Sequence, residues 1–315
     1  MKRLLSLFPA VLLVLFVACG GDDNPYSRPV DDGNTPIQPD DRPSGGPEEA
    51  KYNLEFPALK GGKSEVIVHK AIINSDNNKQ AVNYSLEWDH DKKATRWVCY
   101  QMYNEINGTS WNRKNWANGD PWAYDPDVLK SEQQETYNEL SKSTPNKAYF
   151  PNSTYYQKGH ILASADRLSS KDANEQTFYM TNIYPMVSNF NEGIWANMEN
   201  KVRSWAKQAD TLFVCKGGTI DKESNIVDRT KGNHIVPKYF YMALLSKSGK
   251  NFKALAFWIQ HQDNSSWNSL KSYAINVAEL QKKTDIDFFC NLPDDKENEV
   301  ENVNQSQMLK DWGLN

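Results

Sequence analysis

Apolar and β-branched residues fall into short runs separated by polar punctuation. The segments Glu65–His69, Arg96–Met102, Thr211–Lys216, Tyr239–Leu245 and Ala254–Ile259 alternate or run apolar, which predicts strands. Between the last two, Ser246-Lys247-Ser248-Gly249-Lys250 reads as a hairpin turn. A different period appears over 191–209, where Ile194, Trp195, Met198, Val202 and Trp205 share one face of a helix. A second helix is predicted over 276–284. Strands dominate, a few helices lie between them, and no internal repeat is visible, so the body is an α+β domain.

The N-terminus follows other rules. Lys2 and Arg3 precede an apolar stretch from Leu4 to Val17, too short as a helix to cross a ~30 Å bilayer. A basic start, a short apolar core and the small residue Ala18 describe a secretory signal. Phe16-Val17-Ala18-Cys19 resembles a bacterial lipoprotein processing box, with Phe where Leu is commoner. The expected organisation is a signal peptide over 1–18, then a lipid-anchored acidic tether over 19–50 attached through Cys19. An ordinary signal peptide with an incidental Cys is the alternative. The tether holds six Pro and eight acidic residues and too little apolar surface to fold. Asp22-Asp23 looks like the export signal of some Gram-negative surface lipoproteins. The expected location is therefore the cell envelope, on the outer membrane, periplasmic or surface-exposed, with membrane contact only through the anchor. Cys99, Cys215 and Cys290 remain, and three cysteines allow one disulfide at most.

Charge changes meaning once these parts are separated. The whole chain has 36 Lys+Arg against 40 Asp+Glu, a net of −4 that on its face disfavours phosphate-rich partners. Residues 1–50 hold 4 basic and 8 acidic groups, and residues after Pro293 hold 2 and 6. The central body, with 30 basic and 26 acidic groups, is mildly positive between two acidic ends. The body is expected over 51–295, with an acidic C-terminal tail over 296–315.

The sequence holds no His-Glu-x-x-His, no Gly-x-Ser-x-Gly, no Gly-rich phosphate loop and no zinc-spaced Cys/His set. Five isolated histidines are left. His160 stands in Tyr156-Gln157-Lys158-Gly159-His160-Ile161-Leu162-Ala163, followed by Thr181-Asn182-Ile183-Tyr184-Pro185 and then Asn191-Glu192-Gly193-Ile194-Trp195 with Met198-Glu199. This ordered block resembles the DNA/RNA non-specific endonucleases of the ββα-metal, or His-Me finger, class. The likeness extends over most of 51–295, through Arg96-Trp97-Val98-Cys99-Tyr100, Trp122-x-x-Asp125-Pro126, Ile235-Val236-Pro237 and Asp287-Phe288-Phe289.

The resemblance implies a mixed, mainly antiparallel central sheet flanked by helices, with a ββα-metal motif at the active site. It implies a Mg2+-dependent enzyme, with Mn2+ or another divalent cation as substitute, cutting DNA and RNA without sequence preference to 5′-phosphate products. By the same resemblance His160 is the general base, a role that suits a neutral imidazole near pH 7. Asn191 is implied as the direct metal ligand and Glu199 as a catalytic carboxylate reaching the metal through water. Oxygen ligands and few protein contacts suit such a hard cation. Arg203, four residues after Glu199, is either an ion pair on the helix surface or a clamp on the phosphate. Asn182 is implied as a support of the active centre. Lys158 and Arg113 are implied as phosphate contacts. As a bland alternative, Asn191 is only a helix N-cap.

Gln157-Lys158 replaces the family's Asp-Arg before Gly-His, which removes a carboxylate and the planar two-donor fork of Arg. That departure keeps open a nuclease fold that binds nucleic acid without cutting it. Ten Trp and 15 Tyr equally suit a surface lipoprotein that captures glycans without catalysis, unless those rings form the core.

Overall fold

The computed structural model describes Ala50, residues 53–134, Leu140 and residues 142–315. The signal peptide, Cys19 and all of the tether but Ala50 lie outside the described residues. Among those described, no helix is long and apolar enough to cross a membrane. Ala50 itself is buried, packed in the same core cluster as Phe56 and Trp97.

Strands β1 (Ser64–Asn74), β2 (Lys79–Asp89) and β3 (Ala94–Tyr103) open the fold. The small strands β4 (Gln157–His160) and β5 (Ile183–Met186) follow, with the short helix α1 (Lys171–Glu175) between them. A wide helical turn over Asn189–Trp195 leads into α2 (Ala196–Ala206). Then come β6 (Thr211–Gly218), β7 (Ile226–Arg229), β8 (Ile235–Pro237), β9 (Tyr239–Ser248), β10 (Asn251–Gln260) and β11 (Ala274–Ile275). Helices α3 (Val277–Thr284), α4 (Asp294–Glu301) and α5 (Gln305–Asp311) end the chain. The main sheet runs β1-β2-β3-β6-β9-β10-β11, and every neighbouring pair is antiparallel. The α+β reading, with its antiparallel sheet and flanking helices, is what the fold shows.

Strand alternation divides the interior into two layers. Val98, Tyr100, Met102, Leu212, Val214, Met242, Leu244, Leu255 and Phe257 face one side, where α2, α5 and the β4–β5 hairpin pack. Trp97, Cys99, Phe213, Cys215, Tyr241, Ala243 and Leu245 face the other, under Val277 and Leu280 of α3 and Val300 of α4. Each fully buried Val, Leu or Phe contributes about 1.5–3 kcal/mol, so both layers carry stability. The aromatic surplus lies mostly here: Trp97 and Trp195 are among the largest fully buried side chains. A glycan-capturing surface of rings is not what these residues form. Cys99 and Cys215 are buried free thiols.

All five expected strands are present, and β9 meets β10 through the two-residue loop Gly249-Lys250. Over the expected 276–284 helix, Asn276 caps α3 by accepting from the Glu279 amide at 2.8 Å. Two features differ from expectation. Strand β2 was not foreseen, because Asn83, Ser85, Glu87 and Asp89 occupy positions that a buried strand normally gives to apolar residues. Glu87 and Asp89 are satisfied by the guanidinium of Arg96, at 2.6 and 2.7 Å. The residues beyond Pro293 are two helices that bury Val300, Met308 and Trp312.

Candidate active site

β4 and β5 pair antiparallel, with His160 opposite Ile183 and Lys158 opposite Pro185. Lys158 and His160 therefore project from one face of β4, and Gln157 from the other. Gly159 is required between them. A Cβ there would lie 2.3 Å from the sulfur of Met186, so any larger residue would force the hairpin apart. Asn182 clamps the chain just beyond His160. Its Oδ1 accepts from the Leu162 amide at 2.8 Å, and its Nδ2 donates to the carbonyls of Leu162 and Thr177 at 2.9 and 2.7 Å. Trp195 Nε1 donates to the His160 carbonyl at 3.0 Å, tying the hairpin to the following helix. The loop carrying His160 is thus held by two side chains.

The imidazole of His160 lies between Trp122 and Phe178, with ring centroids 5.2 and 5.3 Å away. Its Nε2 is buried and has no hydrogen-bond partner among the described residues. Burial, and then the positive charge of Arg113, push the ring down to about 3 against the opposing pull of Asp120. His160 is therefore neutral at physiological pH, with an unsatisfied nitrogen. Lys158 lies over Trp122 at 4.3 Å and Arg113 over Phe178 at 5.0 Å, so both implied phosphate contacts flank the same rings. Arg113 also forms a two-point pair with Asp120 at 2.8 and 2.5 Å, which holds the Asp120 carboxyl below its usual range.

The helical half of the site differs from its expected shape. The helix expected over 191–209 is interrupted at Gly193, whose φ of −93° and ψ of −106° are not helical. Asn191 lies inside the wide turn before this kink and caps no helix; Ser188 precedes that turn and Trp195 precedes α2. The N-cap alternative for Asn191 is thereby excluded. The kink also brings the backbone at 193 against Trp267, whose indole nitrogen would sit 2.8 Å from a Cβ there.

Glu199 is largely buried, and its Oε1 has no hydrogen-bond partner among the described residues. Burial raises its carboxyl to about 7, with Asp166 adding to the rise and Lys216 and Arg203 opposing it. Lys216 of β6 is fully buried, 3.8 Å from Glu199 and 3.7 Å from Asp166. Arg203 reaches Asp166 at 2.6 Å and Asn200 at 2.8 Å, and Tyr100 donates to Asp166 at 3.0 Å. Arg203 accordingly pairs with Asp166, and not with Glu199 as its i,i+4 spacing allowed.

Asp166 and Lys216 were missed as site residues. Lys216 had a readable signal: it shares strand parity with Leu212 and Val214, so a charge falls at a core position. Asp166 had none beyond its place in the His160 block.

Oxygen donors are present for a divalent cation: the Asn191 amide and the orphaned Glu199 oxygen suit such an ion. Separately, His69, Asp125 and Asp127 bring ligand atoms within 4.8 Å of one another and could hold a metal. In the present arrangement His69 Nε2 bonds Asp125 at 2.9 Å, and Thr181 donates to the same carboxylate at 2.5 Å. These contacts explain the Trp122-x-x-Asp125 spacing: Asp125 anchors the segment that carries Trp122 to β1 through His69 and to the turn before β5 through Thr181.

Comparisons with known proteins bear on the fold and the family. A nuclease of Nostoc sp. is 25% identical over 243 residues, covering 73% of this chain and 79% of that protein. A nuclease of Serratia marcescens is 22% identical over 214 residues, covering 67% of this chain and 74% of that protein. A chain of the solved EndoG/EndoGI complex shares the fold, with a TM-score of 0.59 at 17% identity over 79% of this chain and 93% of that one. The sequence profile of the DNA/RNA non-specific endonucleases matches residues 63–295. By that match this chain is a nuclease and belongs to the DNA/RNA non-specific endonuclease family.

Proposed function

We propose that this enzyme is a Mg2+-dependent, sequence-non-specific endonuclease that hydrolyses DNA and RNA to 5′-phosphate ends. The observation that carries the reading is the buried, unpartnered Nε2 of a neutral His160 beside Arg113 and Lys158. His160 takes the proton of the attacking water at Nε2 as the water oxygen bonds to phosphorus and the bond to the 3′ oxygen breaks, and the departing 3′ oxygen gains a proton from solvent. Alone it is a weak base, because burial and two cations disfavour its charged form. A phosphodiester anion seated on Arg113 and Lys158 cancels that repulsion and raises the proton affinity of His160 as substrate binds. Base strength is thus coupled to occupancy.

Asn182 and Trp195 keep the imidazole in place through the backbone at His160 and just after it. Asn191 would hold the cation directly, and Glu199 through an intervening water. Bound there, Mg2+ supplies positive charge to the phosphoryl and leaving oxygens. Arg203 and Lys216 keep Asp166 and Glu199 in position from behind. Lys158 meets phosphate as a point charge in place of an Arg fork, which favours grip without base preference. The same reading places the enzyme outside the cytoplasm, on the outer membrane through a lipid on Cys19, supported by Lys2-Arg3, the apolar run and Phe16–Cys19. Periplasmic and surface-facing orientations are both compatible with it.

The test is nicking of supercoiled plasmid and degradation of RNA by the full chain. Cleavage with Mg2+, loss in EDTA and loss in His160→Ala are expected. Undiminished cleavage by His160→Ala, or by the wild type in EDTA, overturns the mechanism. Replacing Cys19 with Ser should release the protein from membranes; retention would overturn the anchor.

A further inference from the structure

The carboxylate missing at position 157 reappears two elements away. Gln157 donates from Nε2 to Glu192 Oε1 at 2.6 Å, and Asn191 donates from Nδ2 to Gln157 Oε1 at 2.9 Å. The three side chains form a directional chain. A carboxylate accepts hydrogen bonds and has none to give, so the Gln157 amide must turn its nitrogen toward Glu192. Its oxygen then faces Asn191, which fixes the Asn191 nitrogen toward Gln157. The Asn191 oxygen is left pointing away from β4.

We propose that Gln157 and Glu192 are positioning residues for the metal-binding amide, fixing which end of Asn191 meets the cation. This rests on the reading of Asn191 as a metal ligand. Without the relay, the amide has two orientations of similar shape, and one of them presents NH2 hydrogens to the metal. With it, the oxygen is set before the ion arrives. Groups that orient a ligand from behind commonly account for 10- to 100-fold in metal affinity. The relay also explains how the chain tolerates the loss of an acidic residue at 157. Its orienting charge is supplied from the wide turn by Glu192, adjacent to the ligand it controls.

The relay has a testable polarity. Glu192→Gln leaves size unchanged but lets the Gln157 amide sit either way. Gln157→Leu removes the middle member and keeps the charge of Glu192. The exchange Gln157→Glu with Glu192→Gln rebuilds the relay, because Glu at 157 accepts from both sides and again holds the Asn191 nitrogen. Glu192 is exposed and Gln157 half-buried, so none of these changes disturbs a core.

Mn2+ binding to the full-length protein, measured by calorimetry and by the electron paramagnetic resonance of free Mn2+, reads the effect without turnover. Each single variant should bind Mn2+ about 10-fold more weakly with an unchanged Tm. The exchanged pair should return to within about 3-fold of wild type. Wild-type affinity in both single variants, with Asn191→Ala unable to bind, would overturn the relay and leave the metal site standing. Wild-type affinity in Asn191→Ala would overturn the metal reading, and the relay with it. Weakened single variants with no recovery in the exchanged pair, which keeps the net charge, would also overturn the relay, assigning the loss to local packing and not to amide orientation.

Discussion

Around His160, positive charge is laid on aromatic faces at the protein surface: Arg113 is exposed and Lys158 half-buried, each over a ring beside the imidazole. Around Glu199 it is sealed inside, with Lys216 fully buried between Asp166 and Glu199 and Arg203 closing the cluster. At the surface, Arg113 is paired with Asp120 and lies, with Lys158, on aromatic faces. Inside, Arg203 and Lys216 stand against Asp166 and Glu199. One half carries its cations near solvent, and the other closes its charges in.

Four experiments break or sharpen that contrast. The largest effect is expected in the outer half: His160→Ala should lower kcat about 10²- to 10⁴-fold in initial plasmid-nicking rates. Its Tm should fall modestly, because a ring packed between Trp122 and Phe178 is removed. Next, Lys216→Met should destabilise the fold by about 3 kcal/mol in urea unfolding at pH 8, where an uncompensated carboxylate stays buried. The loss should shrink at pH 5, since Glu199, raised to about 7, is then protonated and needs no counter-charge. Equal losses at both pH values would sink the charge-matching account.

Smaller again, Lys158→Ala and Arg113→Ala should leave Tm unchanged. Each should reduce the slope of log affinity against log salt on duplex DNA by about 0.9. A wild-type slope would mean these cations do not meet phosphate. The mildest effect belongs outside the site, at Glu301. Burial, then Glu297 and Asp287, raise its carboxyl to about 8. Its folded value lies above the unfolded one of 4.5, so its contribution is intact below pH 4.5 and lost as pH rises through 8. Glu301→Gln should therefore gain a few degrees of Tm on wild type between pH 5 and pH 9.

The fold was legible where periodicity was simple. Strands with apolar alternation and the face Ile194–Trp205 could be read directly. β2 was hidden because its buried face carries Glu87 and Asp89, whose partner Arg96 lies on another strand. The segment order around His160 singled out Lys158, His160 and Asn182, which the hairpin of β4 and β5 brings together, and Arg113 joins them from far off in the sequence. The kink at Gly193 was not legible, because apolar spacing continues across it while the backbone does not. The relay through Glu192 was invisible for a related reason: Gln157 and Glu192 are 35 residues apart and join only when the hairpin meets the wide turn.

One contact at the far end of the chain bears on when this enzyme becomes complete. Trp205, on the helix that carries Glu199 and Arg203, donates its indole proton to the carbonyl of Trp312 at 3.0 Å. Trp312 is itself buried against Trp205 and bonded to Ala254 at 3.1 Å. The helix over Ala196–Ala206 is therefore fully seated only once the helix ending at Asp311 has docked beside it. Order at Glu199 and Arg203 thus depends on residues more than a hundred positions further along the chain.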